Sequence, residues 1–183
     1  MRGNRIIKQS STKLNAFGSP NYPELANFDV FLDFQKHLIQ DPPEKGKEFT
    51  VFKDMAECIS VVFVHPLLTH DIFLSAFKRA QAIVLQCYGM GNFPMGRTDL
   101  IKVIEDALLK YNKTVVLVSQ CKNGFVRSTY ASSVSLKKQG AILAEDMTVE
   151  AIISKLSYVL GKGYTGKGNP RRFYLCFNLK YRC

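Results

Sequence analysis

From Cys58 onward the chain alternates short apolar runs with helix-patterned segments, and this alternation limits its fold more than any other feature. ISVVFVHP (59–66) is a continuous, Val-rich apolar run of the kind expected for a strand buried on both faces. DIFLSAFKRA (71–80) then spaces Ile72, Phe73, Ala76 and Phe77 as a helix would. AIVLQCYG (82–89) reads as a second buried strand, TDLIKVIEDALLKY (98–111) as an amphipathic helix and TVVLVSQC (114–121) as a third strand. SVSLKKQGAIL (133–143) leads to a long helix over TVEAIISKLSYVLG (148–161), with Gly161 as its C-cap.

Strands that alternate with helices at this spacing pair in parallel through right-handed crossovers. The expected fold is therefore an α/β, parallel-sheet layered domain over residues 58–161. Ligands of such sheets bind beyond the carboxyl ends of the strands. HPLLTHD, YGMGNFP and QCKNGFVRSTY are the loops that fall there.

The two ends do not continue the pattern. Residues 1–57 hold a basic opening loop, the turn-rich segment NAFGSPNYPELA, an edge strand around Asp29 to Phe34, and a polar linker, DPPEKGKE, stiffened by Pro42 and Pro43. Residues 162–183 cluster glycine and then alternate aromatic residues, with no helix to bury them.

Charge is distributed in the same way. The net charge is +10, but Arg2, Arg5, Lys8 and Lys13 precede any acid, the last 22 residues add six basic residues, and the body between is balanced. A groove-tracking protein needs basic residues in a stripe across its folded face, so this distribution argues against nucleic acid as the partner. No apolar run approaches the roughly 20 residues that span a bilayer, so no membrane partner is expected either. Five cysteines without paired metal spacing and no signal-type core point to a reducing, cytosolic compartment.

Several motifs have plain explanations. Gly161–Gly168 approximates a phosphate cradle, but Gly168 stands where Ser or Thr should hold magnesium, and the loop follows a helix instead of a strand. His65 and His70, with Asp71, lack the common face and further ligand that a metal requires, and Asp71 is better placed as a helix N-terminal anion. Thr98 and Asp99 read as an N-cap and a first-turn acid. YGMGN (88–92) sets two glycines and an amide after a strand, suited to a tight turn or to a small ligand. Neither a metal nor an organic cofactor is called for, and no Ser-His-Asp or Cys-His arrangement can be assembled.

RGNRIIK, NAFGSPNYPELA, AIVLQCYGMGNFP, VVLVSQCKNG and EDMTVEAIISKLSYVLG resemble, in order, blocks of the cytosolic, bacterial type I L-asparaginases and their animal relatives. The resemblance implies that residues 1–57 are a remnant of an N-terminal domain plus linker, that 58–161 form the C-terminal α/β domain, and that 162–183 are a basic tail foreign to the family. It implies hydrolysis of L-asparagine to L-aspartate and ammonia. Lys8 stands where the family's catalytic Lys stands, and Asn92 matches a loop near the intersubunit cleft, where it would contact substrate. The family's T-G-G-T nucleophile loop and its H-G-T-D motif are absent from these residues, and GRTDL (96–100) falls in the wrong domain. VRSTYASS departs further, with Ser128, Ser132 and Ser133 where the family is richer in glycine.

Lys8 is thus expected to be one member of an incomplete triad, and the chain to be the back portion of a longer enzyme, inactive alone. Its expected partners are L-asparagine in the complete enzyme and, for the polypeptide, a further copy or a full-length homologue.

Overall fold

The computed structural model describes residues 1, 3–39, 41–42, 46, 48 and 50–164. In the leading segment a single turn of 3-10 helix, Gly3–Arg5, precedes two small antiparallel pairs. β1 (Ile7–Lys8) pairs with β2 (Phe17–Gly18), and β3 (Ala26–Phe28) pairs with β4 (Leu32–Phe34). The edge strand expected around Asp29 to Phe34 is therefore the second arm of a hairpin outside the main sheet. Among the described residues of 1–57, only Arg5 and Ala16 are buried.

The remainder follows the alternation. β5 (Ile59–Phe63), α1 (His70–Arg79), β6 (Ala82–Cys87), α2 (Thr98–Leu109), β7 (Thr114–Ser119), α3 (Ala131–Lys138), β8 (Ile142–Leu143) and α4 (Val149–Gly161) form an α/β unit around a four-stranded parallel sheet of order β5-β6-β7-β8. Alternate residues of the central strands face opposite layers. Ile83, Leu85, Cys87, Val115 and Leu117 pack with Phe73, Phe77, Leu100 and Ile104. Ala82, Val84, Val116 and Val118 pack with Ile152, Leu156 and Val159 of α4.

Local chemistry closes the elements. The Lys113 ammonium, ahead of β7, donates to the carbonyls of Phe77, Lys78 and Ala80, groups that the end of α1 leaves without helical partners. Thr148 caps α4, its hydroxyl accepting from the Ala151 amide at 3.3 Å.

Four expectations need correction. ISVVFVHP is not buried on both faces: β5 is an edge strand, with Val62 and Val64 in the core but Val61 and Phe63 largely exposed. The N-cap of α2 is Arg97, without a capping side chain, and Thr98 is the first helical residue. There the Arg97 guanidinium clamps Asp99 at 2.7 and 3.0 Å and the Leu68 carbonyl at 2.9 Å.

Gly161 is the last helical residue, while Lys162 is the C-cap and Gly163 takes the positive φ of 76°. Position 161 needs glycine for space, because a Cβ there would lie 1.9 Å from the Asp54 carbonyl oxygen. Finally, α3 and β8 fill a stretch that read as a connector. α3 buries Ser132 and Ser133 as well as Leu136, so its core face is partly polar in sequence.

Candidate functional site

The three loops singled out in the sequence lie at the carboxyl ends of β5, β6 and β7, and the leading segment lies against the last of them. Arg5, 2% exposed, grips Asp146 through Nε at 2.6 Å and Nη2 at 2.5 Å, while its Nη1 donates to Asn4. The Asn4 carbonyl in turn accepts from the Thr148 amide. Further along, Asn21 Oδ1 accepts from the Gly124 amide at 2.7 Å. The RGNR and SPNYP stretches are thereby bound to the start of α4 and to the loop after β7.

Two clefts lie along this seam. The larger, about 800 Å³, is lined by Asn21, Tyr22, Phe125, Arg127, Lys137 and Asp146 among others. One of its cations is backed by an aromatic ring, the Arg127 guanidinium carbon lying 4.1 Å from the Phe125 centroid; Arg5, outside the lining, sits 5.8 Å from the ring of the lining residue Tyr22. The smaller, about 240 Å³, includes Ile7, Gln86, Ser119, Cys121 and Thr148. A cleft with amides, hydroxyls and a ring-backed guanidinium can bind a small polar or anionic molecule.

The loops are held internally. Gln120 Nε2 donates to the carbonyls of Val64 at 2.6 Å and Gln86 at 2.8 Å, tying the ends of three strands together. Ser119 Oγ donates to Gly89 at 2.6 Å and accepts from the Cys121 amide. In YGMGN, Tyr88 and Asn92 exchange backbone hydrogen bonds, so the segment is a tight turn. Gly91, at φ 99°, approaches the following loop so closely that a Cβ would meet Val126 Cγ1 at 2.5 Å.

Lys8 is exposed at the end of β1, with its ammonium 5.8 Å from the centroid of Phe17. Among the described residues, no carboxylate stands within ion-pair distance of it and no hydroxyl is hydrogen-bonded to it. Asn92 is exposed on the turn, and its Oδ1 accepts from Ser132 Oγ at 2.9 Å. Lys8 and Asn92 are not among the residues lining either cleft.

His70 and Asp71 lie 3.3 Å apart at the exposed start of α1, and no group of three or more His, Cys, Asp or Glu gathers among the described residues. The phosphate-cradle resemblance runs past Tyr164, outside those residues. No described helix is long and apolar enough to cross a membrane.

Sequence reasoning missed the residues that assemble the seam. Arg5 and Asp146 were both visible, one in a block valued for Lys8 and the other just before a helix cap, but they stand 141 positions apart. Asn21 and Gln120 are single amides without a motif, and their roles depend on distant backbone.

A sequence model described as the glutaminase/asparaginase C-terminal domain matches residues 59–172. An L-asparaginase of Dirofilaria immitis is 32% identical over 162 residues, covering 88% of this chain and 27% of that protein. L-asparaginase 1 of Escherichia coli K12 is 32% identical over 164 residues, covering 88% of this chain and 47% of that protein. The crystal structure of L-asparaginase I from Vibrio cholerae superposes with a TM-score of 0.82 and 28% identity, over 94% of this chain and 52% of that one. The chain thus spans 27% to 52% of the length of these relatives.

Proposed function

The chain belongs to the glutaminase/asparaginase C-terminal domain family, and on that premise we propose that it forms part of an amidohydrolase that converts L-asparagine to L-aspartate and ammonia. The supporting observation is the Arg5–Asp146 clasp, which fixes the Lys8-bearing segment to the family domain through a buried, bidentate ion pair. Lys8 is the helper and not the nucleophile. Its ammonium, beside an Asp, would lower the cost of the negative charge that develops on an attacking Thr oxygen as the hydroxyl gives up its proton. The Thr oxygen then bonds to the amide carbon, the C–N bond breaks as the nitrogen takes up the hydroxyl's proton and leaves as ammonia, and water cleaves the acyl ester to L-aspartate and free Thr. By the family resemblance, that Thr and acid would come from the T-G-G-T and H-G-T-D motifs of an N-terminal domain, which are absent from these residues. Asn92 would meet substrate from the turn after β6. Free thiols at Cys58, Cys87 and Cys121 fit a cytosolic setting.

Alone, the chain should show negligible turnover, because the reacting hydroxyl is missing from it. Co-expressed with the leading half of the E. coli enzyme, it should release ammonia from L-asparagine, and Lys8→Ala should lower that rate by at least about a hundredfold. Turnover by the chain alone above a Lys8→Ala control, or a complex indifferent to Lys8, contradicts the assignment.

A second reading is a non-catalytic module that pairs with another asparaginase polypeptide. It is favoured by the leading segment, whose Phe17, Phe28, Val30, Phe31, Leu32 and Phe34 are each at least 48% exposed.

A further inference from the structure

β5 (Ile59–Phe63) is the outer strand of the main sheet and pairs with β6 alone. The Val64 amide donates to the Gln86 carbonyl, and the Cys58 carbonyl accepts from Gln81. Peptide groups alternate sides along a strand, so those of Val61 and Phe63 point away from β6, to a side on which no described strand lies. Side chains alternate between the two layers as well. Val62 and Val64 pack in the layer of α1 and α2 and Ile59 packs with the cluster of α4, so Val61 and Phe63 turn to the α4 layer. There they stay 43% and 55% exposed. A free edge and a bare apolar strip thus coincide on one strand, the combination that takes up another strand.

We propose that this edge is a docking site for the chain's own residues 173–181, added to the sheet as a strand parallel to β5. Those residues lie outside the described ones, and the support from them is their sequence, FYLCFNLKY. It alternates Phe173, Leu175, Phe177, Leu179 and Tyr181 with Tyr174, Cys176, Asn178 and Lys180, the period-2 pattern of a strand with one buried face. The end of α4 delivers the chain to the right place. The Ala56 amide donates to the Ser157 carbonyl at 3.0 Å, the Ser157 hydroxyl donates to the Ala56 carbonyl at 2.5 Å, and Gly161 abuts the Asp54 carbonyl. The helix therefore finishes beside the approach to β5. From Tyr164 to Phe173 the chain reaches up to about 30 Å, whereas Asp54 to Ile59 spans at most about 17 Å.

Topology and charge select the same occupant. α1, α2 and α3 send Phe73, Leu100 and Leu136 into one layer as the sheet steps from β5 to β8, while α4 lies on the other. A return from β8 through α4 to the free edge of β5 runs in the opposite direction across the opposite layer. It has the same hand as those outward steps, the right-handed one that parallel connections adopt. Exposed Asp54 and Glu57 border the approach to β5, and Arg171 and Arg172 immediately precede the segment. The apolar alternates would cover Val61 and Phe63, leaving Lys180 and Arg182 at the new edge, where charge discourages further pairing. The inference stands apart from the amidohydrolase reading.

The test is amide hydrogen exchange on the full chain, read residue by residue by NMR at low and high protein concentration. The expected result is slow exchange at Val61, Phe63 and alternate amides of 173–181, independent of concentration. The double variant Leu175→Asp, Phe177→Asp should speed exchange at Val61 and Phe63 at least about tenfold, because its carboxylates would have to be buried unpaired. Val84 and Val116, in the central strands, should stay slow in the variant and so show an intact fold. Where they do not, the milder Phe177→Ser takes its place. Asn178→Ser, on the opposite face of the segment, should match wild type. Fast exchange at Val61 and Phe63 in the wild-type chain overturns the docking site. Slow exchange that the double variant leaves unchanged overturns the choice of occupant, and slow exchange lost on dilution overturns it in favour of a second copy. Protection that the variant releases at residues 26–34, with Val61 and Phe63 fast throughout, overturns the proposal in favour of the hairpin.

Discussion

Arg5 and Asp146 form a two-pronged ion pair across 141 residues, with the guanidinium almost wholly out of water and the carboxylate 20% exposed. The pair joins the opening turn to the residues just ahead of α4. It therefore decides where Lys8, three positions on, is carried.

Removing one partner from a buried ion pair costs about 3–5 kcal/mol, because the other is left unpaired. Asp146→Ala should destabilise more than Arg5→Ala, since it strands the more deeply buried group. Urea unfolding of both single variants and the double variant, combined as a cycle, measures the coupling. Equal, small effects from both single changes would show that the clasp does not hold the segment.

The Arg97 guanidinium, hydrogen-bonded to Asp99, holds that carboxyl down at about 2 against its ordinary 3.8. A depressed carboxyl pKa contributes stability above its unfolded value and loses it as pH falls through the folded one. This contribution should therefore disappear between about pH 4 and pH 2. In Arg97→Ala, NMR titration should show Asp99 returning toward 3.8, with a shallower acid limb of unfolding. An unmoved Asp99 titration would place the cause elsewhere.

Gly91→Ala should destabilise by about 1–3 kcal/mol, since it combines a left-handed backbone with a clash against Val126. Adding Val126→Ala should relieve the clash but not the backbone strain, so thermal melts should recover only in part. Gly161→Ala acts through the Asp54 carbonyl, a backbone atom, and no side-chain truncation should rescue it.

Burial pushes the Cys87 thiol up to about 12, whereas Cys58 and Cys121 are exposed. Thiolate is the reactive form. Mass spectrometry after brief alkylation of the folded chain should find label on Cys58 and Cys121, with Cys87 modified only after unfolding. Early label on Cys87 would indicate that the strand opens.

Strands β5 to β7 and helices α1, α2 and α4 were legible because β6 and β7 are buried on both faces and those three helices carry a regular apolar stripe. α3 was missed because it buries hydroxyls: Ser133 Oγ donates to the carbonyls of Arg127 and Tyr130, and Ser132 Oγ to Asn92. Periodicity counts apolar residues and cannot register a serine whose polar atom is satisfied inside. The exposure of Val61 and Phe63 was equally hidden, because an edge strand and a central one can have the same composition.

By itself the sequence determined the layered α/β class, the carboxyl-end loops and the family blocks, all of which are encoded by local spacing. Only the tertiary structure decided that Arg5 closes on Asp146, that Asn21 meets Gly124, and that the hairpin's apolar face lies bare. Local spacing fixes which way a side chain points along its own element. Whether it then finds a charge, an amide or water depends on chain segments far away in sequence, and folding alone brings those together.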